Sequence, residues 1–128
     1  MTSRHLQDHY ARMQQQFGWH VDEHFNMAAA CARRWASHPG ASRRTAIIEH
    51  SAQGRARRYS YAQLQSAADA LSHVLVSLGV QRGDRVAIVL PQRFETAVAY
   101  MAVMQMGAVA MPLSLLFGPE ALSYRLQN

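Results

Sequence analysis

The sequence predicts an α/β fold in which a β-hairpin is followed by a parallel βαβ unit with covering helices. Three observations point to it. Leu64, Ala67, Ala68, Leu71, Val74, Leu75 and Leu78 recur at three- and four-residue steps, the period of an amphipathic helix. Residues 85–90 (RVAIVL) form a nearly unbroken apolar, β-branched run, as expected of a strand buried on both faces. Residues 108–111 repeat such a run after a helical segment, and strand, helix, strand in that order implies parallel strands with a right-handed crossover.

Each element has its own signal. Residues 1–24 are rich in Gln and His and read as a polar lead-in with some helix. Residues 25–35 (FNMAAACARRW) read as a helix capped by Asn26, with Met27, Ala30, Cys31 and Trp35 on one packing face. His38, Pro39 and Gly40 end it. Residues 45–50 (TAIIEH) and 57–61 (RRYSY), separated by a turn at 51–54, suggest the hairpin. Ser60 stands three residues before Gln63, a capping-box spacing that opens the amphipathic helix. Gly79 follows its last apolar position, where a left-handed cap is expected, and residues 81–84 turn the chain. Pro91 stops the next strand. Residues 93–106 form a second helix, with Phe94, Ala97, Val98, Met101, Ala102 and Met104 available for packing, and Gly107 closes it. Pro112 bounds the last strand. Pro119 suits the first turn of a third helix over residues 120–126.

A parallel sheet needs several strands and helices on both faces. Two parallel strands and a hairpin do not supply them. The expectation is an incomplete fold, whose remaining faces are met by the rest of a larger domain.

Composition narrows the function classes. Hydrophobic residues make up 49% of the 128 residues, ordinary for a globular protein. Cys31 is the single cysteine, so no internal disulfide forms, which fits a reducing, cytoplasmic setting. All 13 basic side chains are arginine. Nine of them lie in residues 1–58 with four acids, whereas residues 59–128 balance four against four. No zinc-finger spacing, RNP-like aromatic run or basic heptad accompanies that charge, so nucleic acid is not an expected partner. No apolar run near Met1 resembles a secretion signal. Residues 96–119 lack charge over a bilayer-spanning length. Gln105, Gly107, Pro112 and Ser114 interrupt them, so a buried helix followed by a buried strand is expected rather than a transmembrane segment.

The chain is poor in reactive constellations. A phosphate-binding P-loop requires lysine, and there is none. Gly79 and Gly83 flank a turn before a strand, the wrong context for a dinucleotide fingerprint. Residues 20–24 (HVDEH) match H-x-x-E-H, with His5 and His9 repeating the four-residue spacing, but a third ligand is missing and the segment shows no helical stripe. Cys31 falls on the expected packing face, as a small buried hydrophobe. Asp22 and Glu23 are adjacent and point apart on a helix. No catalytic, cofactor-binding or metal-binding residue is assigned.

Four segments, in order, carry a family resemblance. Residues 59–64 (YSYAQL) resemble an aromatic-Thr/Ser-Tyr-x-Glu-Leu helix start, with Gln63 where glutamate is commoner. Residues 78–80 (LGV) and 83–88 (GDRVAI) resemble an L-G-V…G-D-R-V-A-I helix–turn–strand. Residues 90–95 (LPQRFE) resemble the opening of the next helix. Residues 105–113 (QMGAVAMPL) resemble K-x-G-A-x-x-x-P-L, with Gln105 replacing the usual lysine. Residues 25–128 thus resemble the N-terminal part of the adenylate-forming (AMP-binding) ligases. Phe25-Asn26 and residues 117–126 (FGPEALSYRL) look most like the short- and medium-chain acyl-CoA synthetases.

The resemblance implies a truncated ligase domain over 25–128, preceded by the lead-in at 1–24. For a full-length enzyme it implies activation of a carboxylic (fatty) acid through an acyl-adenylate and transfer to coenzyme A, with ATP and Mg²⁺. The family's ATP loop, adenine- and ribose-binding motifs and both lysines match no position in this sequence. The 128-residue chain is therefore expected to be inactive and to serve as scaffold for the remainder of the domain. The alternative is an interaction module without catalysis.

Overall fold

In a computed structural model, residues 9–20 and 22–127 are described. Helix α1 (Tyr10–Gln16) belongs to the lead-in and buries none of its residues. A π-helical turn (Ala29–Arg33) then runs into α2 (Arg34–Ala36). The hairpin consists of β1 (Thr45–His50) and β2 (Ala56–Ser60), paired antiparallel with Glu49 opposite Arg57 and an irregularity between Thr45 and Ile47. Helix α3 (Tyr61–Ser77) leads to β3 (Arg85–Ile88), α4 (Phe94–Gln105) and β4 (Val109–Pro112), and α5 (Pro119–Gln127) follows. Strands β3 and β4 are parallel, Arg85 beside Val109 and Ile88 beside Pro112, as the βαβ pattern predicts.

Local signals read from the sequence account for most element ends. Ser60 Oγ accepts from Gln63 N at 3.2 Å and Gln63 Oε1 accepts from Ser60 N at 2.8 Å. This is the full capping box, which satisfies two donors that a helix start leaves open. Asn26 Oδ1 accepts from Ala29 N at 3.0 Å, so it caps as expected. Gly79 (φ +92°) and Gly107 (φ +78°) end α3 and α4 in the left-handed region that a Cβ disfavours.

The two small sheets do not touch edge to edge; α3 and α4 join them. Ala32, Leu64 and Val98 form the centre, with Ala46 and Ile47 of β1 and Leu71, Phe94 and Met101 packed around it. Ala68 and Ala102 are both fully buried. Side chains this small let α3 and α4 approach closely.

Three expectations about packing need correction. Cys31 and Met27 are exposed, and Ala28 and Ala32 make the contact instead. The i→i+5 turn at Ala29–Arg33 changes the helical period, and alanines on the contact face bring that backbone close to the core. Helix α3 is buried along its first half, where Gln65 is only 8% exposed, and Val74 and Leu78 stand out in solvent. Apolar periodicity tells which side faces inward but not how far the neighbouring helix extends. The strand over 85–90 stops at Ile88, and only Ile88 of its residues is fully buried. Val109, on the sheet face shared with Arg85, remains 49% exposed. No helix among the described residues is long and apolar enough to cross a membrane.

Candidate functional site

The four motif segments meet one another at two junctions, one at each end of α4. At the N-terminal end, the Tyr59 and Phe94 rings stack, with centroids 3.9 Å apart and planes 7° from parallel. Glu49 Oε2 accepts from Tyr59 Oη at 3.2 Å and from the Phe94 amide at 3.4 Å. The carboxylate of β1 thereby serves as the missing cap of α4, where the helix dipole favours negative charge. Arg93 adds a long contact to Glu49 Oε1 at 3.9 Å and a closer one to Glu95 at 3.3 Å. The Thr96 hydroxyl donates back to the Pro91 carbonyl, which fixes the turn between β3 and the helix.

At the C-terminal end the junction centres on Gln105. Its Oε1 accepts from Gln65 Nε2 at 2.9 Å and from Arg33 Nη2 at 3.2 Å, and its Nε2 donates to Ser72 Oγ at 2.5 Å. Ser72 Oγ in turn lies 2.9 and 3.0 Å from the Ala68 and Ala102 carbonyls. Gln65 Nε2 also donates to Asp69 at 2.8 Å, and Gln65 Oε1 is buried without a protein partner. Asn26 Nδ2 donates to the Met104 carbonyl at 2.9 Å. Nearby, Gly83 N donates to Gly107 O at 3.0 Å and Val109 N to Asp84 O at 2.8 Å, joining the G-D-R-V turn to the G-A-V segment. A Cβ on Gly107 would come within 3.1 Å of Arg82 Cγ, so the arginine stem lies across this glycine.

These arrangements hold elements together. The acids are largely engaged: Glu49 at the cap, Asp69 with Gln65, Asp84 with the Gln81 amide at 2.8 Å, and Glu95 with Arg93. His20 pairs with Asp22 at 2.9 Å, with both side chains largely exposed. His9 and His24 are exposed, while His5 and Val21 of the H-x-x-E-H reading lie outside the described residues. Among the described residues no three His, Cys, Asp or Glu side chains gather as metal ligands do. An open groove of about 620 Å³ runs past Glu23, His24, Asn26, Arg82 and Gly107. It carries both charge signs, from Glu23 and Arg82. The residues present do not fit ATP with Mg²⁺: the sequence has no lysine and no glycine-rich loop before a helix, and among the described residues Glu49, Asp69, Asp84 and Glu95 already hold polar partners.

Sequence reasoning missed Glu49 as a cap and Gln65 as a buried polar group. Both act across the fold, and only the positions of their partners, 45 and 40 residues away, disclose them.

The AMP-binding enzyme family matches residues 32–128. The chain belongs to that family. It is 35% identical over 112 residues to an acetyl-coenzyme A synthetase of Coprinopsis cinerea, covering 86% of the chain and 16% of the relative. It is 36% identical over 110 residues to that of Streptomyces coelicolor, covering 86% and 17%. Among solved structures, a Brucella canis acyl-CoA synthetase superposes with a TM-score of 0.81 at 23% identity, covering 92% of the chain and 23% of that structure. That likeness supports the fold. MatB from Rhodopseudomonas palustris superposes with a TM-score of 0.62 at 30% identity, covering 80% and 19%. The chain thus spans about a sixth of the length of the curated relatives it matches.

Proposed function

We propose that residues 25–128 are the N-terminal portion of the adenylate-forming domain of a cytoplasmic acid–CoA ligase, that residues 1–24 are a lead-in, and that the contribution of this portion is structural. The observation that carries this reading is the fate of the motif side chains. Tyr59, Ser60, Gln63, Phe94 and Gln105 all spend their polar or aromatic contacts on neighbouring elements. The half-open β3–β4 sheet, with Val109 exposed, leaves a face for the remainder of the domain to cover.

The whole enzyme, on this reading, converts a carboxylic acid, ATP and coenzyme A into acyl-CoA, AMP and pyrophosphate. The names of the relatives support a short acid, and the wider reading extends to fatty acids of short and medium chain. ATP, Mg²⁺ and coenzyme A are held by residues outside 1–128. The test is carboxylate-dependent ATP–pyrophosphate exchange by the purified 128-residue chain, with acetate, butyrate and hexanoate as acids. Exchange at the no-enzyme background is expected with all three. Exchange above background with any of them overturns the scaffold reading.

A further inference from the structure

We propose that Arg34 and Arg44, both held against the Trp35 ring, form a binding site for a compact, multiply charged phosphate anion of the diphosphate class. The proposal does not depend on the ligase reading.

Two Arg-Arg pairs, 33–34 and 43–44, lie ten residues apart in sequence, and the fold brings them to one aromatic ring. The guanidinium carbon of Arg34 lies 4.5 Å from the Trp35 ring centroid, and that of Arg44 lies 4.7 Å from it. Trp35 is half-buried and both arginines are exposed. Its ring also lies 6.1 Å from that of Tyr61, whose amide donates to the Arg44 carbonyl at 3.0 Å. The Arg44 backbone is thus pinned to the start of α3, and its side chain is steered by the indole. Cation–π contact fixes the position of a guanidinium but leaves its in-plane N–H groups free to donate.

Among the described residues, no carboxylate comes within ion-pair distance of Arg34 or Arg44. The two cations sit within about one Debye length of each other, ~10 Å at 0.1 M salt. An anion with at least two negative charges, and oxygens on two phosphorus atoms, offers each guanidinium fork its own bidentate partner.

Two features favour a compact anion over a nucleic-acid strand. The Trp35 ring is already covered by guanidinium groups, so it is not a platform for a base. The hairpin arginines also do not extend the patch into a track. Arg57 pairs across the strands with Glu49, and its neighbour Arg58 pairs with Ile48, so the two lie on opposite faces.

The experiment uses the full chain carrying Trp19→Phe, which leaves Trp35 as the sole tryptophan reporter. Inorganic pyrophosphate is titrated at constant ionic strength, with inorganic phosphate, adenosine 5′-diphosphate and a twelve-residue oligothymidylate as separate arms. A saturable change in Trp35 emission with pyrophosphate is expected, at least tenfold tighter than with phosphate. Equal affinity for adenosine diphosphate identifies the diphosphate group as what is recognised. Arg34→Gln with Arg44→Gln should weaken binding at least tenfold. Arg34→Lys with Arg44→Lys keeps the charge without the fork, should weaken it about threefold, and serves in place of the glutamine pair if circular dichroism shows that pair unfolded. A change that does not saturate, or that survives both double variants unaltered, overturns the proposal. Oligothymidylate binding that pyrophosphate does not displace overturns it in favour of a nucleic-acid surface.

Discussion

Helix α4 meets a carboxylate at its N-terminus and uncharged amides at its C-terminus. At the first end, Glu49 reaches in from β1 and complements the helix dipole. At the second, the family's usual lysine would complement the dipole in the same way, but Gln105 stands there and binds Gln65, Arg33 and Ser72. Positive charge still arrives, from Arg33 of the π turn and from Arg82 lying over Gly107. The charge that suits a helix end need not come from the helix's own sequence. Where it comes from another element, the same interaction also fixes how the two elements sit.

The comparison can be broken most forcefully at the aromatic stack. Phe94→Ala removes the ring against Tyr59 and should cost about 3 kcal/mol, read as a fall in the thermal midpoint. Gln105→Ala removes one part-buried hydrogen bond each from Gln65 and Ser72 and should cost about 2 kcal/mol. A loss no larger than an exposed alanine substitution would show that the amide junction is incidental. Glu49→Gln keeps an acceptor for Tyr59 and the Phe94 amide while removing the charge. It should cost about 1 kcal/mol at low salt and less in 1 M salt, whereas the Gln105→Ala loss should be insensitive to salt. Equal salt dependence at the two ends would erase the distinction drawn here. Gln105→Lys should be the mildest, below about 1 kcal/mol, because an ammonium there gains Asp69 but faces Arg33. Adding Arg33→Ala should then recover part of the loss, measured as a double-mutant cycle.

Much of this architecture was legible in the residues themselves, and what was legible is local. The strand Thr45–His50, the Ser60–Gln63 capping box, the Asn26 cap and the left-handed Gly79 each depend on neighbours within a few positions. The failures depend on distant partners. Cys31 was placed inward because a regular helical period was assumed, and the π turn breaks that period. Its exposure predicts complete reaction with a thiol reagent in the native chain, without denaturant. Nothing around Gln65 in sequence marks it as buried, because the polar partners that permit its burial lie on α4. As to a site, motif spacing indicated the family, while the use of the motif side chains as joints emerged only once their partners were placed.

The Asn26 bond to the Met104 carbonyl joins positions 78 residues apart. On a ribosome, the segment carrying Asn26 is made long before α4 exists to receive it. The hairpin and the α3 cap close over short spans and have no such wait. During synthesis the early helical segment can settle on α3 through Ala32 and Trp35, but this strap to α4 closes only after residue 104 has emerged. In the finished molecule the order runs in reverse. When this strap lifts, the end of α4 loses a bond to its last turn of carbonyls, and the amides of residues 29–33 should exchange with solvent ahead of those in the α3–α4 core.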